Sequence, residues 1–278
     1  MKELYDQLSR QVSKSTTRLY STSFSLGILM LDKKIHAPIY GIYGFVRLAD
    51  EIVDSFHDFD KSKMLKEFRQ QTYQAIRTGI SLNPILNSFQ EVVNKFNVEM
   101  ELVDTFLDSM EMDLEQKFYD LAAYEKYILG SAEVVGLMCL RVFTDGNDAE
   151  YEKLKPSAMR LGAAFQKVNF LRDIQADFNG MGRTYFPGVT FENFNAEQKL
   201  QIEEDIKADF DAALLGIKEL PDTARLGVYA AYRYYVALFQ KITMLSPQRI
   251  MKERIRISNP RKLYLTCRCY LKLQLNLL

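Results

Sequence analysis

Apolar residues recur at intervals of three and four along most of this chain, and this spacing constrains it to a helical fold. Such residues share one face of an α-helix. The pattern predicts helices at residues 2–20, 36–56, 61–78, 84–96, 99–118, 122–143, 150–178, 196–219, 222–245 and 247–257. Alternating runs typical of strands are few, and no repeat or Gly/Ser-rich linker divides the sequence. We therefore expect one all-α domain over residues 1–278.

The most informative polar motif lies in the helix predicted at 150–178. Asn169, Asp173 and Asp177 are four residues apart, so they follow one another turn by turn on one helical face. Mg²⁺ accepts carboxylate and amide oxygens and keeps its other positions for water and substrate phosphates. Arg172 lies beside them, and its planar guanidinium is well shaped to bind a diphosphate.

A second acidic motif, far upstream, has the same arrangement. Asp50 and Asp54 are again four residues apart, and Arg47 precedes Asp50 by three. A single pair of this kind commonly marks a solvated helix surface. Here both motifs follow apolar sequence, at 39–49 and 165–171, and a buried carboxylate without a partner is costly. We therefore expect the two motifs to share divalent metal ions.

Together these residues resemble the signature of squalene and phytoene synthases. The matching positions are Leu161, Gly162, Gln166, Asn169, Arg172, Asp173, Asp177, Arg183, Tyr185 and Pro187, with Tyr43, Arg47, Asp50 and Asp54 upstream and Ser21, Ser23 and Phe24 near the start. The resemblance covers about residues 15–190 and extends more loosely to the end. A further motif, around Tyr127, departs from the family pattern: Ile128 replaces a small residue or Cys, and Glu133 replaces Gly. This departure is expected to leave metal binding unchanged and to concern the local shape of the hydrocarbon pocket.

The resemblance implies a single-domain, isoprenoid-synthase-type helical bundle with a central active-site cavity. It implies a prenyltransferase of carotenoid biosynthesis that condenses two geranylgeranyl diphosphates head to head (1'-1), through a cyclopropylcarbinyl diphosphate, to phytoene. Mg²⁺ is the expected cofactor, Mn²⁺ being a substitute, and NADPH is not expected because phytoene forms by loss of a proton. Chain size and the Gly182-Arg-Thr-Tyr-Phe-Pro187 string are most similar to bacterial phytoene synthases.

The resemblance also assigns roles to individual residues. The expected metal ligands are Asp50, Asp54, Asn169, Asp173 and Asp177. Diphosphate binding is expected from Ser21, Ser23, Arg47, Arg172 and Arg183. The hydrocarbon pocket is expected to include Phe24, Val135, Gly136, Phe165 and Gln166. Tyr43 and Tyr127 are candidates for handling the proton lost during the reaction, with the diphosphate as the rival base.

Three alternatives stay open at this point. A squalene or dehydrosqualene synthase would use farnesyl diphosphate, and squalene formation would need NADPH. A chain-elongating prenyltransferase or a terpene cyclase would share the helical fold, but chain elongation is expected to use two Asp-Asp-x-x-Asp motifs, and neither motif here has that form. A non-catalytic helical scaffold is expected to have lost acids that this chain retains.

Composition limits the location and partners. Thirty-six basic and thirty-six acidic residues cancel, so net charge gives no reason to expect a nucleic-acid partner. Three Cys and two His disfavour a disulfide framework or a zinc site and favour a reducing cytoplasm. No secretory signal or membrane span is expected. Residues 249–278 carry eight Lys and Arg against one acid, Glu253. This segment is expected either to pack as a terminal helix or to bind peripherally at the inner membrane surface.

Overall fold

The computed structural model describes residues 1–115, 118–190 and 193–274. The helices in these segments are α1 (Lys2–Tyr20), α2 (Thr22–Leu29), α3 (Lys33–Asp54), α4 (Lys61–Thr78), α5 (Pro84–Phe96), α6 (Met100–Glu115), α7 (Leu121–Ile128), α8 (Val134–Phe143), α9 (Asp148–Met181), α10 (Ala196–Glu219), α11 (Asp222–Thr243), α12 (Pro247–Ile250) and α13 (Asn259–Gln274). A π-helical turn, Leu129–Glu133, joins α7 to α8. The predicted all-α fold is confirmed. None of the described helices is long and apolar enough to cross a membrane.

Short polar residues begin several of these helices, and a glycine ends one of them, as their chemistry predicts. The carboxylate of Asp32 accepts a hydrogen bond from the backbone N–H of Lys34 at the start of α3. Asn83 caps α5, and Pro84 occupies the first turn, where its missing N–H costs nothing. Gly79 ends α4 with φ of +69°, a left-handed conformation that favours glycine. Local sequence therefore sets many of the helix limits.

Three parts of the fold differ from the predicted helices. Residues 122–143 were predicted as one helix, but the π-turn interrupts it. The reason is tertiary packing, since a Cβ on Gly130 would lie 2.5 Å from the Cβ of Ser109 on α6. The short helix α2 was not predicted, because eight residues hold too few apolar repeats. The helix predicted at 247–257 ends at Ile250, and the terminal helix α13 packs against α11.

The described residues form a core of two apolar clusters. One centres on α3, α5 and α6, where the rings of Phe45 and Phe89 stack with centroids 3.9 Å apart. The other lies around α7, α9, α10 and α11, where Phe170 stacks on Tyr185 with centroids 4.0 Å apart. Val228 packs against both clusters. The prediction of one domain over the whole chain stays a prediction.

Candidate active site

A cavity of about 320 Å³ runs through the middle of the bundle. On α9 its wall is formed by residues spaced three and four apart, among them Leu154, Ala158, Leu161, Phe165 and Asn169. Faces of α2, α3, α8, α10 and α11 form most of the rest of the wall, with single residues from α6 and α7 and two from the π-turn. Each of these helices therefore contributes one stripe to a shared interior.

The cavity has a polar end and an apolar end. Asp50 and Asn169 line the polar end, here called the mouth, whereas Leu154 and Leu220 line the other end, here called the floor. Asn169 follows Leu154 by 15 residues on the same helix, and a rise of about 1.5 Å per residue places them about 22 Å apart. Among the described residues that line this long channel, the charged ones, Arg47 and Asp50, therefore lie at one end.

The two predicted acidic motifs face each other at the mouth. Burial, with repulsion from Asp54 and Asp113, raises the pKa of Asp50 to about 8 against the attraction of Arg47. Burial, with repulsion from Asp173 and Asp54, raises the pKa of Asp177 to about 7. Asp54 on α3 thus acts on carboxylates of both motifs, which is the proximity that the sequence predicted.

Asp113 on α6 is an acid of the mouth that sequence reasoning missed. It is 7% exposed and accepts a 2.7 Å hydrogen bond from the hydroxyl of Tyr127. Arg183 lies 3.3 Å from this carboxylate and 3.4 Å from that of Asp54, and it donates to the backbone oxygen of Asp113. Burial, only partly offset by Arg183, raises the pKa of Asp113 to about 6. A signal did exist in the sequence: Asp113 follows Phe106 and Met110 on the apolar face of its helix.

Two arginines bind Asp173, and only Arg172 was predicted as a site residue. Arg172 binds it through Nε at 3.0 Å and Nη2 at 2.5 Å. Arg254, beyond α12, approaches it through Nε at 2.7 Å. Nothing local in the sequence distinguishes Arg254 from the other basic residues of its segment. Arg47, expected to bind diphosphate, pairs with Glu51 at 2.6 Å and lies 3.7 Å from Asp50.

A chain of hydrogen bonds orders the amide side chains at the mouth. The hydroxyl of Tyr235 donates to Asn169 Oδ1 at 3.2 Å, and Asn169 Nδ2 donates to Gln166 Oε1 at 3.5 Å. Gln166 Nε2 donates to Ser131 Oγ at 3.2 Å, and Ser131 donates to the backbone oxygen of Tyr127 at 2.7 Å. The π-turn places Ser131 within this chain. Tyr235 was not predicted as a site residue.

Aromatic pairs flank the channel just below the mouth. The rings of Phe24 and Tyr43 have centroids 3.9 Å apart, and Phe165 stacks on Tyr235 at the same distance. Both pairs line the cavity, as do the predicted pocket residues Val135, Gly136 and Gln166. Burial raises the pKa values of the Tyr43 and Tyr127 phenols well above the ordinary value, so both phenols stay protonated at neutral pH.

The remaining sequence predictions concern residues beside the cavity. Ser21 caps α2, where its Oγ accepts from the backbone N–H of Phe24 at 3.2 Å. Ser23 belongs to α2, but its side chain lies outside the described part of the chain. Glu133, unusual for the resembled motif, interacts electrostatically with Arg160. Its neighbour Ala132 lines the cavity, so the π-turn presents a small residue to the interior.

The side chains at the mouth are of the chemical type that binds a divalent cation, although they do not form a preformed site. Within residues 1–115, 118–190 and 193–274, no three acid, imidazole or thiol side chains converge on a common metal position. The acids nevertheless supply hard oxygen ligands, and burial together with mutual repulsion disfavours their charged forms. Added positive charge would relieve this repulsion, so the donor set fits Mg²⁺.

Related proteins share both the sequence and the fold. The sequence model of the squalene/phytoene synthase family matches residues 17–261. The 4,4'-diapophytoene synthase of Staphylococcus haemolyticus is 28% identical over 68% of this chain and 66% of that enzyme. Phytoene synthase 1 of Arabidopsis thaliana is 26% identical over 80% of this chain and 57% of that enzyme. A crystal structure of a dehydrosqualene synthase in complex with a ligand has a TM-score of 0.81, at 19% identity over 97% of this chain and 98% of that chain.

The chain belongs to the squalene/phytoene synthase family, since the family match covers most of its length. Members of this family are prenyltransferases that condense prenyl diphosphates head to head, and they commonly depend on divalent metal ions. The matched region spans less than two thirds of the length of the staphylococcal and Arabidopsis enzymes.

Proposed function

We propose that this protein condenses two molecules of geranylgeranyl diphosphate to phytoene. The observation that carries the proposal is a cavity with acids and arginines at its mouth, whose wall on α9 rises about 22 Å from Leu154 to Asn169. A carbon–carbon bond of about 1.5 Å advances an extended chain by roughly 1.25 Å, so a C20 prenyl chain is about 19 Å long. A C15 chain is about 14 Å long on the same basis. The C20 chain therefore matches the channel more closely.

Residues of both motifs would hold Mg²⁺ at the mouth. The candidate ligands are Asp50, Asp54, Asn169, Asp173 and Asp177. When bound there, Mg²⁺ would neutralise the leaving diphosphate and so favour ionisation of the allylic C–O bond. The hydrogen bond from Tyr235 fixes the amide of Asn169, so this oxygen is oriented before a ligand arrives.

Arginines at the mouth are placed to bind the diphosphates. Arg172 and Arg254 both present planar forks, which bind phosphate oxygens in a bidentate manner. Both bind the carboxylate of Asp173, so a bound diphosphate would replace a carboxylate as their partner. Arg183 stays anchored between Asp54 and Asp113 and adds positive charge behind the acids. Ser21 and Ser23 are proposed as further donors to phosphate.

The channel below the mouth protects the allylic cation from water. The faces of Phe24, Tyr43 and Phe165 carry negative electrostatic potential that stabilises a cation without reacting with it. The cation couples to the second prenyl chain and loses a proton, which gives a cyclopropylcarbinyl diphosphate. A second ionisation and loss of a proton complete the linear C40 product. The Tyr127 hydroxyl would accept the proton lost in forming the cyclopropane while it passes its own proton to the carboxylate of Asp113, to which it donates, and the released diphosphate is the rival base.

A second candidate is the condensation of two farnesyl diphosphates to dehydrosqualene or squalene. Its support is the similarity to a protein named 4,4'-diapophytoene synthase, at 28% identity. A C15 chain also fits within the channel. Dehydrosqualene would need no reductant, whereas squalene would require NADPH.

We also propose that the protein works in the cytoplasm, at the surface of an anionic membrane. On α13 the exposed residues Arg261, Tyr264, Arg268 and Leu271 follow one another at helical spacing and mix basic with apolar side chains. A hydrocarbon product insoluble in water would leave readily into a lipid bilayer.

The test is a product assay. Purified protein with Mg²⁺ receives farnesyl or geranylgeranyl diphosphate, each with and without NADPH, and extracted products are identified by mass spectrometry. A C40 hydrocarbon from geranylgeranyl diphosphate without NADPH is expected. A C30 product alone would shift the assignment to the second candidate. No product from either substrate would contradict an enzymatic role.

A further inference from the structure

The floor of the channel is built where helices reverse direction. Leu31 follows α2, Leu220 follows α10, and Leu154 lies in the first turns of α9. They are 8%, 5% and 5% exposed and belong to one apolar cluster. The backbone N–H of Asp32 donates to the oxygen of Thr223 at 2.8 Å, which ties the turn after α2 to the start of α11. The floor is therefore a packed surface.

Leu31 is held in the floor by a glycine on α11. A Cβ on Gly227 would lie 2.4 Å from Leu31 Cδ2 and 2.6 Å from its Cγ. The same Cβ would lie 2.8 Å from the backbone oxygen of Gly27 on α2. Because no side chain larger than hydrogen fits at Gly227, α2 and α11 approach closely. The side chain of Leu31 packs directly against Gly227. A longer ligand would press this side chain against the close contact of α2 with α11.

We propose that Leu31, seated against Gly227, sets the longest prenyl chain that this protein accepts. The channel wall on α9 rises about 22 Å from Leu154 at the floor to Asn169 at the mouth. Extended chains of C20 and C25 are about 19 Å and about 24 Å long, so the limit falls between them. Leu31 also lines the cavity wall, so its size changes the depth directly. This inference rests on the proposed function, since it treats the channel as the site of the prenyl chain.

Chain-length-dependent binding tests the inference without requiring turnover. The ligands are C15, C20 and C25 prenyl thiolodiphosphates, which resist ionisation, and calorimetry measures their dissociation constants in buffer with Mg²⁺. The wild-type protein should bind the C15 and C20 ligands, and its dissociation constant for the C25 ligand should be at least tenfold higher than for C20. Leu31→Phe should raise the dissociation constant for C20 at least tenfold and change that for C15 less than threefold. Leu31→Ala should lower the dissociation constant for C25 at least tenfold.

Leu29→Phe is the matched control, because Leu29 lies two residues away on α2 and is 50% exposed. It should leave the chain-length ranking unchanged. Folding of each variant is checked by thermal unfolding, and if Leu31→Phe does not fold, Leu31→Ala decides alone. An unchanged ranking in the folded Leu31 variants would overturn the role of Leu31 even if phytoene is made. A changed order of dissociation constants, without product from the natural diphosphates, would instead overturn the proposed reaction. The role of Leu31 in limiting chain length would then still hold.

Discussion

Asp50, Asp54 and Asp177 approach one another at the mouth, across two helices whose neighbouring residues are largely apolar. Burial raises the pKa values of Asp50 and Asp177, and repulsion by Asp54 raises them further. Arg183 offsets only part of this charge, since it is shared between Asp54 and Asp113. Such an arrangement costs stability, and proteins tolerate that cost where a function depends on it.

Asp50→Asn should therefore abolish turnover without destabilising the protein. The amide keeps the shape of the side chain but removes a carboxyl whose ionised form is disfavoured by burial and by Asp54. The free energy of unfolding without metal should therefore stay equal or rise. Turnover and thermal unfolding, each with and without Mg²⁺, are the measurements. The exposed Asp58 provides the control: Asp58→Asn should match wild type in both. Near-normal turnover of Asp50→Asn would contradict the metal assignment.

Tyr235→Phe should slow turnover more than it affects stability. The change removes the donor to Asn169 but keeps the ring that stacks on Phe165. Loss of one hydrogen bond costs about 1 kcal/mol. A misplaced amide at the mouth should lower kcat by roughly tenfold or more.

Steady-state kinetics and urea unfolding separate the two effects of Tyr235→Phe. Tyr234→Phe removes the neighbouring hydroxyl and is the control. Equal kcat values for both variants would show that Asn169 is positioned without Tyr235.

At the level of whole elements, glycines set how closely the helices around the channel approach. A Cβ on Gly162 of α9 would lie 2.7 Å from the backbone oxygen of Ala132 and 3.0 Å from the Cα of Glu133. Backbone atoms cannot move aside as a flexible side chain can. The contact between α9 and the π-turn therefore requires glycine at this position.

Gly162→Ala should force α9 away from the π-turn and lower the free energy of unfolding by about 1–3 kcal/mol. Gly27→Ala is the control, because the Cβ would meet its nearest neighbours at 3.7 and 3.8 Å, which is ordinary contact. This second variant should be neutral or more stable by about 0.5–1 kcal/mol, from better helix propensity. Urea unfolding measures both. A neutral Gly162→Ala would show that the π-turn can shift freely.

Sequence patterns predicted the long helices well because each carries its own amphipathic repeat, as α1, α4, α5 and α10 show. The acids of both motifs were found because spacing of four residues is visible along one helix. Asp113, Arg254 and Tyr235 were missed, since separate elements bring them to the mouth only in the folded state. The π-turn was missed for a related reason: its cause is the contact of Gly130 with α6, not local propensity.

At the scale of the molecule, α9 joins the two apolar clusters, since Leu154 belongs to one and Val168 to the other. We therefore expect a single cooperative unfolding transition. Because the chain contains no Trp, far-UV circular dichroism and tyrosine fluorescence are suitable probes. Their urea transitions should coincide. Two separated transitions would contradict the prediction of one domain over residues 1–278.

The distribution of charge over the molecule predicts binding to anionic lipid. The acids lie at the mouth, whereas Arg261 and Arg268 lie exposed on α13 beside Tyr264 and Leu271, which are 61% and 59% exposed. Such a face should prefer vesicles with anionic lipid to neutral ones, and salt should weaken the binding.

Cosedimentation with vesicles of either composition, at low and high salt, tests this preference. The double variant Arg261→Gln/Arg268→Gln should lose about 1 kcal/mol of binding free energy per charge. Arg249→Gln is the matched control, because Arg249 is exposed but pairs with Glu253 outside α13. It should bind more strongly than the double variant. Equal binding to neutral and anionic vesicles, or an undiminished double variant, would mean that the basic face of α13 only keeps the helix hydrated where it packs on α11.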